Sequence, residues 1–172
     1  YYLRGMNLDH GTDFSAYFEG MPINFRAHAH GQGYLDLNFL IPEVISTVRY
    51  AKGPYYPDRG DFSTAGTTSF AIYDRIDTPF VELTGGTDNY WRTVGAGSVD
   101  FADGHLLGAF EVARNDGPWQ LAADVKKTNV LAKYTGPLAN FDTSLVFSHY
   151  DNDWNSTDQV PRRLVDSGAI DR

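Results

Sequence analysis

The sequence predicts two parts, a mixed α+β region over residues 1–66 and an antiparallel series of β-strands over residues 67–172. In the first part, extended segments are short and are broken by glycine and proline, and one of them begins like a helix. In the second part, extended segments of similar length follow one another with turn residues between them. The aromatic content of 15% and the 17 glycines also favour strands and turns over helices.

The segment IPEVISTVRYAKGP, residues 41–54, predicts the helical turn. Pro42 suits the first turn of a helix, and Glu43 places a negative charge near the positive N-terminal end. The residues STVRYAK that follow alternate in polarity and include β-branched side chains, which favours a strand. We therefore expect a single helical turn that runs into a strand and stops at Gly53 and Pro54.

The second part predicts a β-meander in which short and long connections alternate. Its extended segments are TTSFAIYDRI, PFVELTGG, YWRTVGAGSVDF, HLLGAFEVARN, TNVLAKYTG and NFDTSLVFSHY. Asp103 and Gly104 predict a two-residue hairpin turn. Residues 136–139 form another short link, whereas residues 115–127 form a long one. Short turns at one end and long loops at the other are typical of an outer-membrane β-barrel, and a soluble β-sandwich does not require them.

Alternation along these segments separates an apolar set from a mixed set. In HLLGAFEVARN the apolar set is Leu106, Gly108, Phe110 and Val112, and the mixed set is His105, Leu107, Ala109 and Glu111. Aromatic residues lie near segment ends, where a membrane interface would lie: Tyr90, Trp91, Trp119, Tyr134, Phe141 and Tyr150. Soluble sheets also carry such aromatics, so the pattern leaves a membrane β-barrel and a soluble β-domain both open.

Charge and composition exclude several classes of protein. The formal charge of -8 and the pI near 4.9 argue against a nucleic-acid partner, which normally meets a basic surface. The chain has no cysteine, which excludes disulfides and thiolate metal sites. No apolar run is long enough for a transmembrane helix, but membrane-spanning strands need only about 9 to 11 residues.

Three histidines in the first part raise the question of a metal site. His28 and His30 would point to the same side of a strand, and imidazole binds Zn and Fe. Together with His10 they would still need a carboxylate such as Asp9, Asp13 or Asp36. The alternative is that these histidines lie in a glycine-rich loop and contact the backbone or a ligand without a metal.

No motif indicates an enzyme. Gly31 and Gly33 lack the third glycine and the βαβ context of a dinucleotide site. Serine, histidine and aspartate are present without a nucleophile motif such as GxSxG. We therefore expect neither catalytic residues nor a cofactor.

Four segments in the first part, taken in order, resemble the plug domain of TonB-dependent outer-membrane receptors. They are LRG at residues 3–5, FEGMP at 18–22, IPEVISTVRYAKGP at 41–54 and GDFSTAG at 60–66. The matching motif positions are Arg4, Gly5, Gly20, Pro22, Lys52, Gly53 and Pro54. Each segment alone is a weak signal, but four in this order, followed by barrel-like strands, make a strong resemblance.

The resemblance implies that residues 1–66 are the C-terminal part of an α+β plug domain. Residues 67–172 would then be the first strands and loops of an antiparallel transmembrane β-barrel, which this chain leaves incomplete. The chain would be a fragment, and the segment that contacts the energising TonB-ExbB-ExbD complex would precede Tyr1. Ion pairs between the plug and the barrel wall are expected from Asp58, Arg59, Asp61 and Arg75, unless these charges are simply solvated.

The resemblance also implies a receptor in the bacterial outer membrane that imports a scarce ligand, most commonly a ferric siderophore or another metal complex. Its partners would be the ligand, outer-membrane lipid and the TonB complex, and not nucleic acid. The residues expected to meet the ligand lie on loops at the plug apex: His10, His28, His30, Gln32 and Tyr34.

Two other functions stay open. A β-rich carbohydrate-binding or adhesion domain of the cell surface would use Tyr90, Trp91 and Trp119 as stacking platforms. A metal-dependent hydrolase would rest on the histidines alone.

Overall fold

The computed structural model describes residues 2–3, 5–7, 11–28, 31–156 and 160–170, and the chain divides into two compact units. The first unit is Tyr1–Tyr73 and the second is Asp74–Arg172. Among the described residues, strands contain about 55% and helices 7%. The α+β class expected for the first part is therefore wrong, because the helices described there are two single 3₁₀ turns.

The described residues of the first unit form three small sheets. Their strands are β1 (Tyr2–Leu3), β2 (Met6–Asn7), β3 (Phe14–Phe18), β4 (Met21–Pro22), β5 (Phe25–His28), β6 (Gly31–Tyr34), β7 (Ile45–Lys52) and β8 (Gly66–Ile72). β1 pairs with β2 and β5 with β6, in antiparallel fashion. The largest sheet has the order β4-β3-β8-β7, in which β3 and β8 are parallel and the other pairs are antiparallel.

A 3₁₀ turn over Pro42–Val44 leads directly into β7, so the predicted helical turn before a strand is confirmed locally. The Val44 side chain is fully buried and fixes the turn in the core. The backbone then extends, because the alternating β-branched residues that follow suit a strand. A second 3₁₀ turn, Pro57–Arg59, lies between β7 and β8. Neither turn is long enough to form the helical layer of an α+β domain.

The core of the first unit lies around the largest sheet. Its buried apolar residues are Ala16, Phe18, Leu35, Leu40, Ile41, Val44, Ala65 and Ile72. The rings of Phe18 and Phe39 meet edge to face with centroids 5.3 Å apart. The buried hydroxyls of Ser15 and Thr67 lie 2.7 Å apart and join β3 to β8, which satisfies both groups.

The second unit is an antiparallel meander of five strands followed by a short helix. The elements are β9 (Phe80–Gly85), β10 (Trp91–Phe101), β11 (Gly104–Asn115), β12 (Val125–Leu138), β13 (Phe141–Asp153) and α1 (Arg162–Asp166). Each strand pairs with the next along the chain. None of the helices in the described ranges has the length and apolar character to cross a membrane.

The meander is an open sheet. Its strand order is β13-β12-β11-β10-β9, so β9 and β13 are separate edges of the sheet. A sheet closes into a barrel only when its two edge strands pair with each other. Within the described residues the structure is nearly all β and no barrel closes, so the predicted fold class, an α+β plug domain followed by the strands of an incomplete transmembrane barrel, is wrong.

The first tight turn of the meander lies one residue before the predicted position. It consists of Ala102 and Asp103, both with positive φ, as in a type I′ hairpin. Gly104 instead begins β11, where a side chain would meet the carbonyl oxygen of Thr135 on β12. Glycine is therefore needed at this position for the close approach of β11 and β12, and not for a positive φ.

The second tight turn is also shifted from its prediction. β12 continues to Leu138 and β13 begins at Phe141, so the turn is residues 139–140 and not 136–139. The long connection predicted over residues 115–127 shortens to 116–124, because both flanking strands extend into it.

The register places two different sets of side chains on the two faces of the meander. The apolar face carries exposed Val81, Leu83, Val99, Phe101, Leu106, Phe110, Val130, Leu145 and Phe147. The mixed face carries buried Val94, Ala96, Leu107, Ala109, Glu111, Asn129, Leu131 and Lys133. Cross-strand partners share a face, so pairs such as Phe110 with Val130 and Leu107 with Lys133 fix this assignment. The predicted alternation along β11 is confirmed.

Candidate functional site

The hairpin of β5 and β6 brings three rings together, which we name the aromatic cluster: Phe25, His28 and Tyr34. Phe25 and Tyr34 are cross-strand partners whose ring centroids lie 6.3 Å apart. The centroids of His28 and Tyr34 lie 5.3 Å apart. Phe25 is 63% exposed and Tyr34 is 38% exposed, so a ligand can reach these rings without any opening of the core.

Leu35 anchors the hairpin in the core of the first unit. It follows β6 directly and is buried. A Cβ atom on Gly11 would lie 2.8 Å from the Leu35 Cβ, and Gly11 has a φ of +64°. Only glycine satisfies both requirements at this contact. The hairpin that carries the aromatic cluster is therefore held in place by the buried Leu35.

The structure places part of the predicted ligand-contacting set in this cluster. His28 and Tyr34 belong to it, and Gln32 is exposed on β6 two residues before Tyr34, on the same side of the strand. His10 and His30 lie outside the described residues. Phe25 was not predicted, because its proximity to Tyr34 depends on the hairpin register.

The predicted metal site stays a prediction. Among the residues that the structure describes, no group of three histidine, aspartate or glutamate side chains could hold a metal ion. Two of the three histidines named for such a site are outside those residues. The Asp36 carboxylate accepts hydrogen bonds from the backbone N–H and the side-chain amide of Asn38, at 2.8 and 2.7 Å.

Two motif glycines, Gly5 and Gly20, lie in tight turns with positive φ. Gly5 follows β1 with a φ of +77°, and its neighbour Arg4 lies outside the described residues. Glu19 and Gly20 connect β3 to β4 with φ values of 49° and 80°, again a type I′ pattern. The Glu19 carboxylate accepts a hydrogen bond of 2.6 Å from the N–H of Ile72, which ties this turn to β8.

The remaining motif positions are Pro22 and the Lys52-Gly53-Pro54 element. Pro22 pairs with Tyr17 at the edge of the largest sheet, where a missing N–H is tolerated. Lys52 ends β7, and its ammonium lies 5.9 Å from the centroid of the Tyr50 ring. Gly53 has a φ of +79°, and its N–H donates to the Ala65 carbonyl at 2.9 Å.

Asn24, just before the hairpin, binds the backbone of residues 11, 14 and 16, a role that no sequence pattern indicated. Its Oδ1 accepts a hydrogen bond of 2.7 Å from the N–H of Ala16. Its Nδ2 donates to the carbonyls of Phe14 and Gly11, at 2.9 and 3.1 Å. One side chain thus satisfies three backbone groups, which fixes where the chain enters the hairpin.

A buried charge cluster lies on the mixed face of the meander, near the end with the long loops. Glu111 on β11 accepts hydrogen bonds from Arg92 Nε at 2.6 Å, Lys127 Nζ at 2.9 Å and Asn129 Nδ2 at 2.6 Å. The Glu111 side chain is only 3% exposed. A buried carboxylate is tolerated when it is paired and hydrogen-bonded in this way.

The charges predicted to join a plug to a wall have other partners among the described residues. Arg59 lies 3.3 Å from its neighbour Asp58, and Asp61 lies 3.4 Å from Arg26. These ion pairs are within the first unit. Arg75 pairs with Asp77 and Asp100 in the second unit.

Two of the predicted stacking platforms pack against glycines in joined loops: Tyr90 against Gly86, and Trp119 against Gly117. A Cβ on Gly86 would lie 3.1 Å from the Tyr90 ring, and one on Gly117 would lie 3.2 Å from the Trp119 ring. The N–H of Asp116 donates to the carbonyl of Asp88 at 2.9 Å, which joins the two loops. The third platform, Trp91, lies on the apolar face of β10.

No protein-family model, curated protein or solved structure matches this chain.

Proposed function

We propose that this chain is part of a TonB-dependent receptor of the bacterial outer membrane, which imports a scarce ligand such as a ferric siderophore or another metal complex. The observation that carries the proposal is the contrast between the two faces of the meander. One face exposes large apolar side chains on all five strands, and the other buries charged groups. Outer-membrane strands alternate in this way, with apolar residues toward lipid and polar residues toward the interior.

The height of the apolar face fits a bilayer. Trp91 and Phe101 lie at opposite ends of β10, and both are on this face. Ten residue steps at about 3.3 Å cover about 33 Å along the strand, which a tilt of about 40° reduces to a height of about 25 Å. The Phe101 ring meets Tyr134 of β12 edge to face, with centroids 6.3 Å apart. Aromatic residues at both ends of an apolar band suit the two membrane interfaces.

Ligand capture is assigned to the aromatic cluster on the hairpin of β5 and β6. Exposed rings contribute contact area at a small entropic cost, because each has only two side-chain torsions. His28 and Gln32 add hydrogen-bonding groups beside the rings. Energy for release would come from the TonB-ExbB-ExbD complex, a partner that follows from the motif resemblance.

Fractionation of cells that make the full-length protein tests the location. We expect the protein in the outer-membrane fraction, extracted by detergent and not by high salt, because apolar strands contact lipid chains. Recovery in the soluble periplasmic fraction would overturn the receptor function.

Uptake measurements test the ligand class and the role of the cluster. Cells lacking the gene are given back the wild type, Phe25→Ala/Tyr34→Ala, or the control Tyr55→Ala, which removes an exposed ring elsewhere in the first unit. The probe is ⁵⁵Fe³⁺ held by the chelators of the iron-starved culture filtrate. We expect uptake with the wild type and the control, and its loss with the double variant and with a protonophore. Equal uptake in cells without the gene would exclude iron import.

Carbohydrate binding is a second candidate, favoured by Tyr90 and Trp119 in their joined loops. Each ring packs closely against a glycine, and an aromatic ring offers a flat apolar surface for stacking against a sugar ring. Retention on immobilised polysaccharide that Trp119→Ala abolishes would favour this candidate over metal import.

A further inference from the structure

The residues between β8 and β9 cross three strands of the meander without pairing as a strand. Residues 74–79, which we name the strap, begin the second unit. Ile76 contacts β10, Arg75 contacts β10 and β11, and Asp74 contacts β12. Successive residues of the strap therefore sit on successive strands of the mixed face.

The contacts at the start of the strap join a carboxylate to a buried ammonium. Asp74 Oδ1 lies 2.9 Å from Lys133 Nζ and accepts a hydrogen bond of 3.1 Å from Thr135 Oγ1. The Lys133 side chain is only 4% exposed, and the Asp74 carboxylate offsets part of the cost of burying its charge. This contact favours the attached position of the strap.

The middle of the strap is held by exposed groups. Arg75 Nη1 lies 2.5 Å from Asp100 Oδ1 and 3.1 Å from His105 Nδ1, and the His105 and Asp100 atoms lie 2.9 Å apart. The N–H of Ile76 donates to Ser98 Oγ at 2.8 Å. Exposed ion pairs of this kind are weak one at a time and are screened by salt.

The strap is attached to the sheet differently from the way the strands of the sheet are attached to one another. Strands β10 to β13 are joined by continuous backbone ladders. Every contact named above between the strap and β10 to β12 uses at least one side chain. A segment attached in this way opens at lower free energy than the sheet beneath it.

We propose that the strap is a releasable fastening at the start of the second unit. When the strap is attached, the chain is fixed to the sheet from Asp74 onward. When it is released, the first fixed residue becomes Phe80, where β9 begins. Six more residues then become free, which adds up to about 20 Å to the reach of the chain before β9. No strand of either unit has to break for this change.

Hydrogen exchange of the unmodified chain in nonionic detergent micelles tests the release directly. We expect exchange at Ile76 to rise about three- to tenfold between low and high salt, because the ionic contacts of the strap are screened. Exchange in β10 to β12 should stay unchanged. Exchange at Ile76 that is independent of salt, or that matches the slow exchange of the strands, would overturn the proposal.

Two variants and a control test the residues assigned to the fastening. Asp74→Asn and Arg75→Gln should each speed exchange at Ile76 about threefold or more, since each removes a charge that contacts the sheet. The control is Asp77→Asn. Among the described residues, Asp77 forms an ion pair with Arg75 alone, within the strap itself. It should change exchange at Ile76 less than either variant. If the variants also expose the amides of β10 to β12, the strap is an integral part of the sheet and the proposal fails.

Discussion

Arg92 on β10 and Glu111 on β11 form a buried ion pair, with Arg92 Nε donating to Glu111 Oε1 at 2.6 Å. Lys127 approaches the second oxygen of the same carboxylate at 2.9 Å. Three adjacent strands are therefore joined by one side chain in addition to their backbone ladders. Glu111 is therefore important for stability, because its removal takes a buried carboxylate away from both Arg92 and Lys127.

Glu111→Ala should lower the free energy of unfolding by about 3–5 kcal/mol, the usual cost of breaking a buried ion pair from one side. Urea unfolding in detergent micelles measures this change. The matched control is Glu82→Ala, which removes an exposed carboxylate from β9 and should cost less than about 0.5 kcal/mol. Equal effects of the two substitutions would contradict the role given to Glu111.

Gly104→Ala should destabilise the hairpin of β10 and β11 by about 1–3 kcal/mol, because the new methyl group meets the Thr135 carbonyl oxygen. Gly108→Ala is the control on the same strand, since no atom lies within 4 Å of its Cβ position. That substitution should be neutral or slightly stabilising. Thermal unfolding of both variants distinguishes a steric clash between position 104 and Thr135 from a general intolerance of β11 to added side chains.

Phe147→Arg should lower stability in phospholipid vesicles by about 2–4 kcal/mol, because Phe147 lies near the middle of β13 on the apolar face. Phe147→Leu is the control and should change little, since it keeps an apolar side chain. Urea unfolding in vesicles provides the measurement. An arginine that costs no more than leucine would show that this position does not meet lipid.

The contribution of Asp74 to stability should depend on pH. The hydrogen bond from Lys133, its positive charge and the hydrogen bond from Thr135 hold the pKa of the Asp74 carboxyl below its ordinary value. A lowered pKa in the folded state stabilises the fold above the ordinary value, and this stabilisation disappears as the pH falls through the lower value. The stability difference between wild type and Asp74→Asn should be constant above about pH 5 and shrink below about pH 4. A difference that does not change down to about pH 2 would contradict the ion pair.

Sequence patterns predicted the features that depend on local alternation. The separation of Leu106 and Phe110 from Leu107 and Glu111 follows directly from the period of a strand, and the structure confirms it. The single turn before β7 was also readable, because Pro42 marks its first residue.

Features that depend on pairing between distant segments could not be read from the sequence. Gly104 looked like a turn residue, but it faces β12, and that neighbour is known only from the register. The contacts of Glu111 with Arg92 and Lys127 have the same origin, as does the proximity of Phe25 to Tyr34. The α+β class followed from the resemblance to a plug domain and failed, because the helices described in the first unit are two single 3₁₀ turns that cannot form a helical layer.

Lipid contact along β11 tests the central claim most directly. The chain has no cysteine, so single cysteines at positions 106, 107, 109 and 110 can each carry a unique fluorescent label. The label is read in outer-membrane vesicles with a lipid-soluble quencher in the bilayer. We predict strong quenching at 106 and 110, on the apolar face, and weak quenching at 107 and 109, on the mixed face. Equal quenching at all four positions, or none at any, would contradict a lipid-facing sheet in an outer-membrane receptor.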